Sequence, residues 1–519
     1  MVAPGYEGPY LLGIDYGTES CRAAIFDLRG TPIGFAATGY PTYHPHPGWA
    51  EQDPSDWWEA LVASVRKVLD QTGIPARHIA GISYDATTMT VVPINKEGKE
   101  IRRAIMWMDV RAIKEAQDLS NTGDPALKYA GHDIVSAEWG TPKLMWLKRN
   151  EPEIWEKTEV IADCLDYLIF QMSGQWTASV CNCSCKFFYD SNWGGWPTTL
   201  YEAAGIPEAL DKFPERILKM GEVAGSLTAE AAALLGLKAG IPVIEGGIDA
   251  HVGAIGLGVV EPGSLALITG SSHVMLGQTD KAVYSMGIWG AYYDAIIPGQ
   301  YTLEAGQVST GSMLSWFVRN YCVKALENER LTGEDPYVYL DKLASEVPIG
   351  ANGIVALDHF QGNRTPFVDA RSRGLFAGLS LSHTEADMYR AVLESVCYGT
   401  GAIFDTFRQK GFAPKRVMAS GAPTKSKLWM QMHADVTGVP IIIPENVQGP
   451  LFGSAMLAAC GAGVFSSVEE AAAQMVRVDK TYEPDQAAHE EYRFYLERYL
   501  ELYEAVSPIV AKIGKHQQQ

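Results

Sequence analysis

The sequence predicts an α/β protein of two related lobes. Three observations carry this. Short apolar runs of strand length alternate with stretches of helical period. A strand–turn–strand unit over residues 11–33 is echoed in shape over residues 264–277, about 250 residues later. Between the two, VVEPGS at 259–264 breaks the pattern with Pro and Gly. That break divides the chain into an N-terminal lobe, 10–258, and a C-terminal lobe, 263–505.

Bulk properties narrow the partners. The chain has 519 residues, 47% apolar and 20% charged, enough to bury a large core without covalent staples. Its 42 basic and 61 acidic residues give a net charge of −19. Nucleic acid and anionic membrane are therefore excluded as main partners. A phosphate site would have to be local, built from backbone N–H groups, a few cations and a metal. Of eight cysteines only Cys181, Cys183 and Cys185 cluster. Their alternate spacing predicts one face of a strand, packed as small apolar groups rather than as a zinc site. A reduced, cytoplasmic setting fits, with no leader at the N-terminus and no membrane span.

The first lobe opens with LLGIDYGTESCRAAIF. Asp15 ends an apolar strand beside a Gly-Thr turn. Backbone amides there, with the hydroxyls of Thr18 and Ser20, would cradle phosphate, and Asp15 would hold Mg²⁺ through water. An ordinary hairpin with an Asx-type turn is the alternative. Asp53 caps a helix carrying Trp58, Leu61, Val65 and Leu69 at helical spacing. A buried strand from His78 to Tyr84 opens into Asp85-Ala86-Thr87-Thr88, a polar cluster where α/β folds place ligands. Further strands are expected at Val91–Ile94 and Ala104–Trp107. Residues 134–148 enter a helix, with Glu138 and Trp139 just before it; Glu138 reads as a cap or a ligand. Residues 158–172 read as one helix. Lys186 lies in the apolar run CNCSCKFFY and needs a partner or a ligand.

Around residues 244–277, Asp249 follows a Gly-Gly pair and precedes a small-residue helix. Gly270 and Ser271 form the second Gly-plus-hydroxyl turn. Glu304 and Gln307 lie among small residues, and a helix starts at Gly311. Asp387–Thr406 is a long helix. The turn from Ser420 to Ala422 before a helix start at Ser426 suits a nucleoside at a helix N-terminus. Gly453–Cys460 is a helix suited to close packing. Tyr492, Leu496, Tyr499, Tyr503 and Val506 stripe a terminal helix.

With these elements in order, the chain resembles the FGGY carbohydrate kinases over about residues 10–505. GLFAGLSLSHTEADMYRAVLE, 374–394, fits that family's C-terminal signature; KLMWLKRN, 143–150, fits the second half of its N-terminal one. The resemblance implies two actin-like, ribonuclease-H-type lobes with sugar and ATP in the cleft between them. It implies that Asp249 is the catalytic base and, with Asp15, a Mg²⁺ ligand. The first phosphate loop would comprise Asp15, Thr18, Glu19, Ser20 and Arg22, the second Gly270 and Ser271. Nucleotide contacts would fall on Gly311, Ser315, Gly421, Ser426 and Gly453. Ala422 departs from the Gly-Gly of many relatives and would narrow the adenosine seat.

SAEW (136–139), LEAGQ (303–307), GNRTP (362–366) and SNWGGWP (191–197) are most similar to ribulokinases. That likeness implies ribulose contacts at Lys186, Asp249 and Glu304, with Thr87, Glu138 and Trp139 near the sugar. A buried Lys186–Glu304 ion pair is the plainer reading of those two residues. Phosphoryl transfer to an alcohol needs alignment, charge neutralisation and a base, which these groups would supply. Kinases for xylulose, ribitol or a tetritol on the same scaffold are the near alternatives. A non-catalytic actin-like ATP-binding module is the distant one. The expected partners are a small sugar and ATP, with a homodimer as the candidate assembly.

Overall fold

The computed structural model describes residues 8–131, 134–446 and 448–517. The residues read above for a leader, 1–7, lie outside it. Six strands form the first sheet: β1 (Tyr10–Tyr16), β2 (Ser20–Phe26), β3 (Pro32–Gly39), β4 (Ile79–Ala86), β5 (Val223–Ser226) and β6 (Pro242–Ile248). Seven form the second: β7 (Ser264–Thr269), β8 (His273–Thr279), β9 (Trp289–Tyr293), β10 (Tyr301–Gln307), β11 (Arg416–Ser420), β12 (Ile441–Pro444) and β13 (Val478–Tyr482).

The spatial orders are β3-β2-β1-β4-β6-β5 and β10-β8-β7-β11-β12-β13, with β9 an added edge. Both run through two antiparallel pairings, then two parallel, then one antiparallel. The chain therefore contains one topology twice, and the similarity in shape of the two turn units is a similarity of whole sheets.

The helices that matter for the site are α1 (Pro54–Thr72), α2 (Gly140–Asn150), α3 (Cys164–Ser173), α4 (Val180–Phe187), α5 (Asp249–Gly256), α6 (Gly311–Tyr321), α7 (Glu385–Gln409), α8 (Lys427–Thr437), α9 (Gly449–Gly461) and α10 (Gln486–Gln517). Local chemistry sets their ends. Asp53 accepts the Ser55 amide at the start of α1, and Gly73 closes it in a left-handed conformation. Asp163 and Asp166 form a capping box on α3. That box splits the stretch 158–172, expected as one helix, into a short strand Val160–Ala162 and α3. The Ala104–Trp107 strand shortens to Ala104–Ile105. No described helix is long and apolar enough to cross a membrane.

The three clustered cysteines are not on a strand. They lie on α4, which kinks at Cys185 and Lys186; Lys186 has φ +99°. Alternation of Cys with Asn and Ser imitates period two, but all of these positions are buried, so polarity did not mark a face.

A division at 259–264 does not describe α9. This helix follows the second sheet's β12 yet packs on β1, β4 and α5 of the first lobe, where Leu451, Phe452 and Met456 join the core of Leu11 and Phe26. Its small residues allow backbone-to-backbone approach. A Cβ on Gly453 would stand 2.0 Å from the Val252 carbonyl oxygen, and one on Gly13 2.2 Å from that of Leu451. We predict that Gly453→Ala destabilises the protein by about 1–3 kcal/mol through overpacking. Urea unfolding tests this: the midpoint falls, and an unchanged midpoint would contradict the contact.

Candidate active site

Three adjacent strands of the first sheet deliver carboxylates to one edge. Asp15 near the end of β1 is in register with Asp85 of β4. Asp249, the residue after β6, begins α5. Asp85 is fully buried, and its Oδ2 accepts the Ser454 hydroxyl of α9 at 2.8 Å. Asp85 Oδ1 has no donor in reach. Burial, with Asp15 and Asp249 nearby, pushes the Asp85 carboxyl well above its ordinary value. Burial also raises Asp15, against the pull of Arg22, whose Nη1 lies 2.8 Å from Asp15 Oδ2. Asp249 is pushed up to about 7, first by burial and then by Asp15, while Arg22 and the Ala250 amide oppose the shift. That amide donates to Asp249 Oδ1 at 2.6 Å.

Converging acids with an orphaned buried oxygen are a cost unless protons or a cation neutralise them. The donors are all hard oxygens, the set Mg²⁺ takes. The residues present therefore fit the ion that the sequence implied at Asp15 and Asp249, with Asp85 added.

The turn after β1 is braced from three sides. Trp107 Nε1 donates to Thr18 Oγ1 at 3.1 Å, Gln52 Nε2 to the Thr18 carbonyl at 2.6 Å and Tyr40 OH to the Gly17 carbonyl at 2.5 Å. Ser20 begins β2, and the Glu19 side chain is exposed. The matching turn after β7 is tied to α6, because the Gly311 and Ser312 amides donate to the Gly270 and Ser271 carbonyls. A Cβ on Gly311 would meet the Gly270 oxygen at 2.2 Å, so glycine is required there.

Beside this turn lies a cavity of about 720 Å³. Gly270, Ser271, Gly311, Ser315 and Ser426 line it, with Ala422, Arg319, Lys425 and Trp429. Gly421 stands behind the wall at φ +104°, where a Cβ would strike the Thr269 carbonyl. Gly453 is not at this cavity. It is the packing glycine of α9, and its small size serves the contact with Val252.

Lys186 and Glu304 meet across the two lobes, Nζ to Oε2 at 2.7 Å. Lys186 also donates to Tyr292 OH at 3.3 Å and sits 4.1 Å from the Trp289 ring centre and 5.1 Å from that of Trp139. Burial pushes the Glu304 carboxyl up, but Lys186, His251 and Arg364 outweigh it and hold it below its ordinary value. The ion-pair reading is thus realised; Glu304 is only partly buried, which leaves the pair open to a ligand. Trp139 is buried and packs edge-on against Trp289. Glu138 does not cap α2: Trp139 takes the capping position with no side-chain bond, and Glu138 makes one long 3.5 Å contact from Ser136 Oγ. Thr87 follows β4, its amide bonded to the Tyr16 carbonyl at 3.1 Å beside the acids.

Four residues escaped the sequence reading as contributors. Asp85 lay within a polar cluster already singled out, and only its register with Asp15 raises it above its neighbours. Tyr292 and Trp289, from β9, have no local signal. His251 is the third residue of α5, beside Glu304 and Cys185.

Residues 10–256 match the N-terminal domain of the FGGY family of carbohydrate kinases, and residues 265–462 match its C-terminal domain. An FGGY carbohydrate kinase domain-containing protein of Xenopus laevis is 33% identical over 551 residues, covering 99% of this chain and 98% of its own length. A ribulokinase of Geobacillus thermodenitrificans is 34% identical over 518 residues, covering 92% and 90%. The crystal structure of a xylulose kinase from Rhodospirillum rubrum superposes with a TM-score of 0.87 at 29% identity, covering 97% of this chain and 100% of that one. Two sheets of one topology, both family domains in order and relatives matched along nearly their whole length lead to one conclusion: this chain is an enzyme with the two-lobed actin-like fold and belongs to the FGGY family of carbohydrate kinases.

Proposed function

We propose that this kinase transfers the γ-phosphoryl group of ATP to a terminal hydroxyl of a pentulose, ribulose giving ribulose 5-phosphate. The observation that carries this is the position of Asp249 at the start of α5. The carboxylates of β1 and β4 lie near it, and Glu304 of the Lys186–Glu304 pair lies near His251 of the same helix. A base there takes the sugar's hydroxyl proton, while both Gly-plus-hydroxyl turns hold phosphate oxygens through backbone N–H groups. Thr18, Ser20 and Arg22 serve the first turn, and Ser315 and Ser426 the nucleoside cavity. Asp15, Asp85 and Asp249 offer oxygen ligands to Mg²⁺, which supplies charge neutralisation at the phosphates. Lys186 and Glu304 orient sugar hydroxyls as donor and acceptor, with Thr87, Glu138 and Trp139 shaping the same wall.

Ribulose is favoured because the Geobacillus relative, matched over most of both chains, is a ribulokinase. Xylulose is the second reading, favoured by the likeness to the solved xylulose kinase. ADP release measured over D- and L-ribulose, xylulose, ribitol and erythritol tests the choice. The highest kcat/KM falls on a ribulose if the proposal holds. A polyol or xylulose preferred by tenfold or more overturns it, and ATP binding without sugar-dependent turnover points to the non-catalytic module.

Two variants test the roles. Asp249→Asn lowers kcat roughly 10²- to 10⁴-fold, the usual share of general-base catalysis, and near-normal turnover would remove Asp249 from that role. Glu304→Ala mainly raises the sugar KM; a change confined to the ATP KM would put Glu304 on the wrong side of the cleft. The pH profile adds a third check. A base acts ionised, and Asp249 ionises near 7 rather than near its ordinary value. Wild-type kcat/KM therefore falls as pH drops below about 7, approaching tenfold per unit. A flat profile down to pH 5 contradicts this.

A further inference from the structure

We propose that Cys181, Cys185 and His251 form a second metal site, one that takes a thiophilic divalent cation such as Zn²⁺ or Cd²⁺. Cys181 and Cys185 are four residues apart on α4, Cys185 at its kink, and His251 approaches from α5. One ligand atom from each lies within 4.8 Å of the other two. Cys185 Sγ and His251 Nε2 are 3.5 Å apart. Tetrahedral zinc, with bonds of about 2.3 Å to sulfur and 2.0 Å to nitrogen, sets ligand separations of roughly 3.5–3.8 Å. Small side-chain shifts therefore close the set around an ion.

All three side chains are buried, with exposures of 0%, 0% and 3%. His251 Nδ1 has no hydrogen-bond partner, although the ring is enclosed. The Glu304 carboxylate is near enough for His251 to favour its charged form. Two thiols and an imidazole are a soft set, unlike the all-oxygen set at Asp15, Asp85 and Asp249, so the two sites select different ions. Three protein ligands leave the fourth position open, and the partly exposed Glu304 marks the side from which an ion enters.

Ligation converts both thiols to thiolates and releases two protons to solvent, with no change of oxidation state. Its consequence is inhibition. Cys185 directly precedes Lys186, whose backbone is already held at φ +99°, so pulling the sulfur onto an ion displaces the Lys186 ammonium from Glu304.

The experiment is a Cd²⁺ titration of the full-length enzyme in excess Mg²⁺, read by sulfur-to-cadmium charge-transfer absorption. This readout needs neither sugar nor turnover, so it stands apart from the proposed reaction. One equivalent binds with that band in the wild type and in Cys183→Ala, whose cysteine is on the same helix but outside the set. In Cys181→Ala and Cys185→Ala binding weakens by more than the roughly 10- to 100-fold that loss of an outer-shell partner costs. In parallel, Zn²⁺ raises the sugar KM of the wild type and Cys183→Ala but not of Cys181→Ala, and a chelator restores it. A wild type with no band, or a band kept in both Cys181→Ala and Cys185→Ala, overturns the proposal.

Discussion

The structure depends on bringing three carboxylates to one sheet edge and keeping them there. Like charges in a low-dielectric site repel strongly, and each also loses hydration. The sheet compels the arrangement, because register sets Asp15 against Asp85 and the end of β6 delivers Asp249 next to them. The protein offsets the cost with Arg22 on Asp15, Ser454 on Asp85 and the Ala250 amide on Asp249. On the proposed function, a cation bound there with the phosphates would offset the remaining charge. Ser454 belongs to α9, so the backbone-close packing of that helix on β1 and α5 is part of the same device.

A second feature is the Lys186–Glu304 pair, which joins a kinked helix of the first lobe to β10 of the second. A buried pair of this kind adds little net stability but fixes orientation. Lys186 is enclosed by Trp289, Trp139 and Tyr292, while Glu304 stays partly open. On the proposed function, sugar hydroxyls entering there would meet a donor and an acceptor already paired with each other. The pair and the acids meet at α5, which carries Asp249 at its first residue and His251 beside Glu304. Asp249 and the histidine beside Glu304 thus share one short helix.

Much of this was legible in the sequence where local chemistry decides the outcome. The turns after Asp15 and at Gly270 announce themselves by Gly and hydroxyls between apolar runs, the Asp53 cap by its Pro, and α9 by its small residues. Legibility failed where three-dimensional context decides. Alternating Cys in a wholly buried segment imitates a strand, since neither face is polar. The capping box at Asp163 and Asp166 breaks a stretch whose apolar content alone reads as continuous helix. The family resemblance implied a nucleotide contact at Gly453, whereas its small-residue run reads as close packing, and its neighbour in the fold is Val252. Asp85 gained its importance from sheet register, which no local pattern prints.

The claim on which the account rests is that burial and Asp15 hold the Asp249 carboxyl up near neutrality in the free enzyme. Carboxyl-¹³C NMR of aspartate-labelled protein measures it directly. A resonance titrating near pH 7 in the wild type, missing from Asp249→Asn and shifted to lower pH in Asp15→Asn, is the predicted result. An Asp249 resonance that titrates near 4, or that ignores Asp15→Asn, contradicts the account.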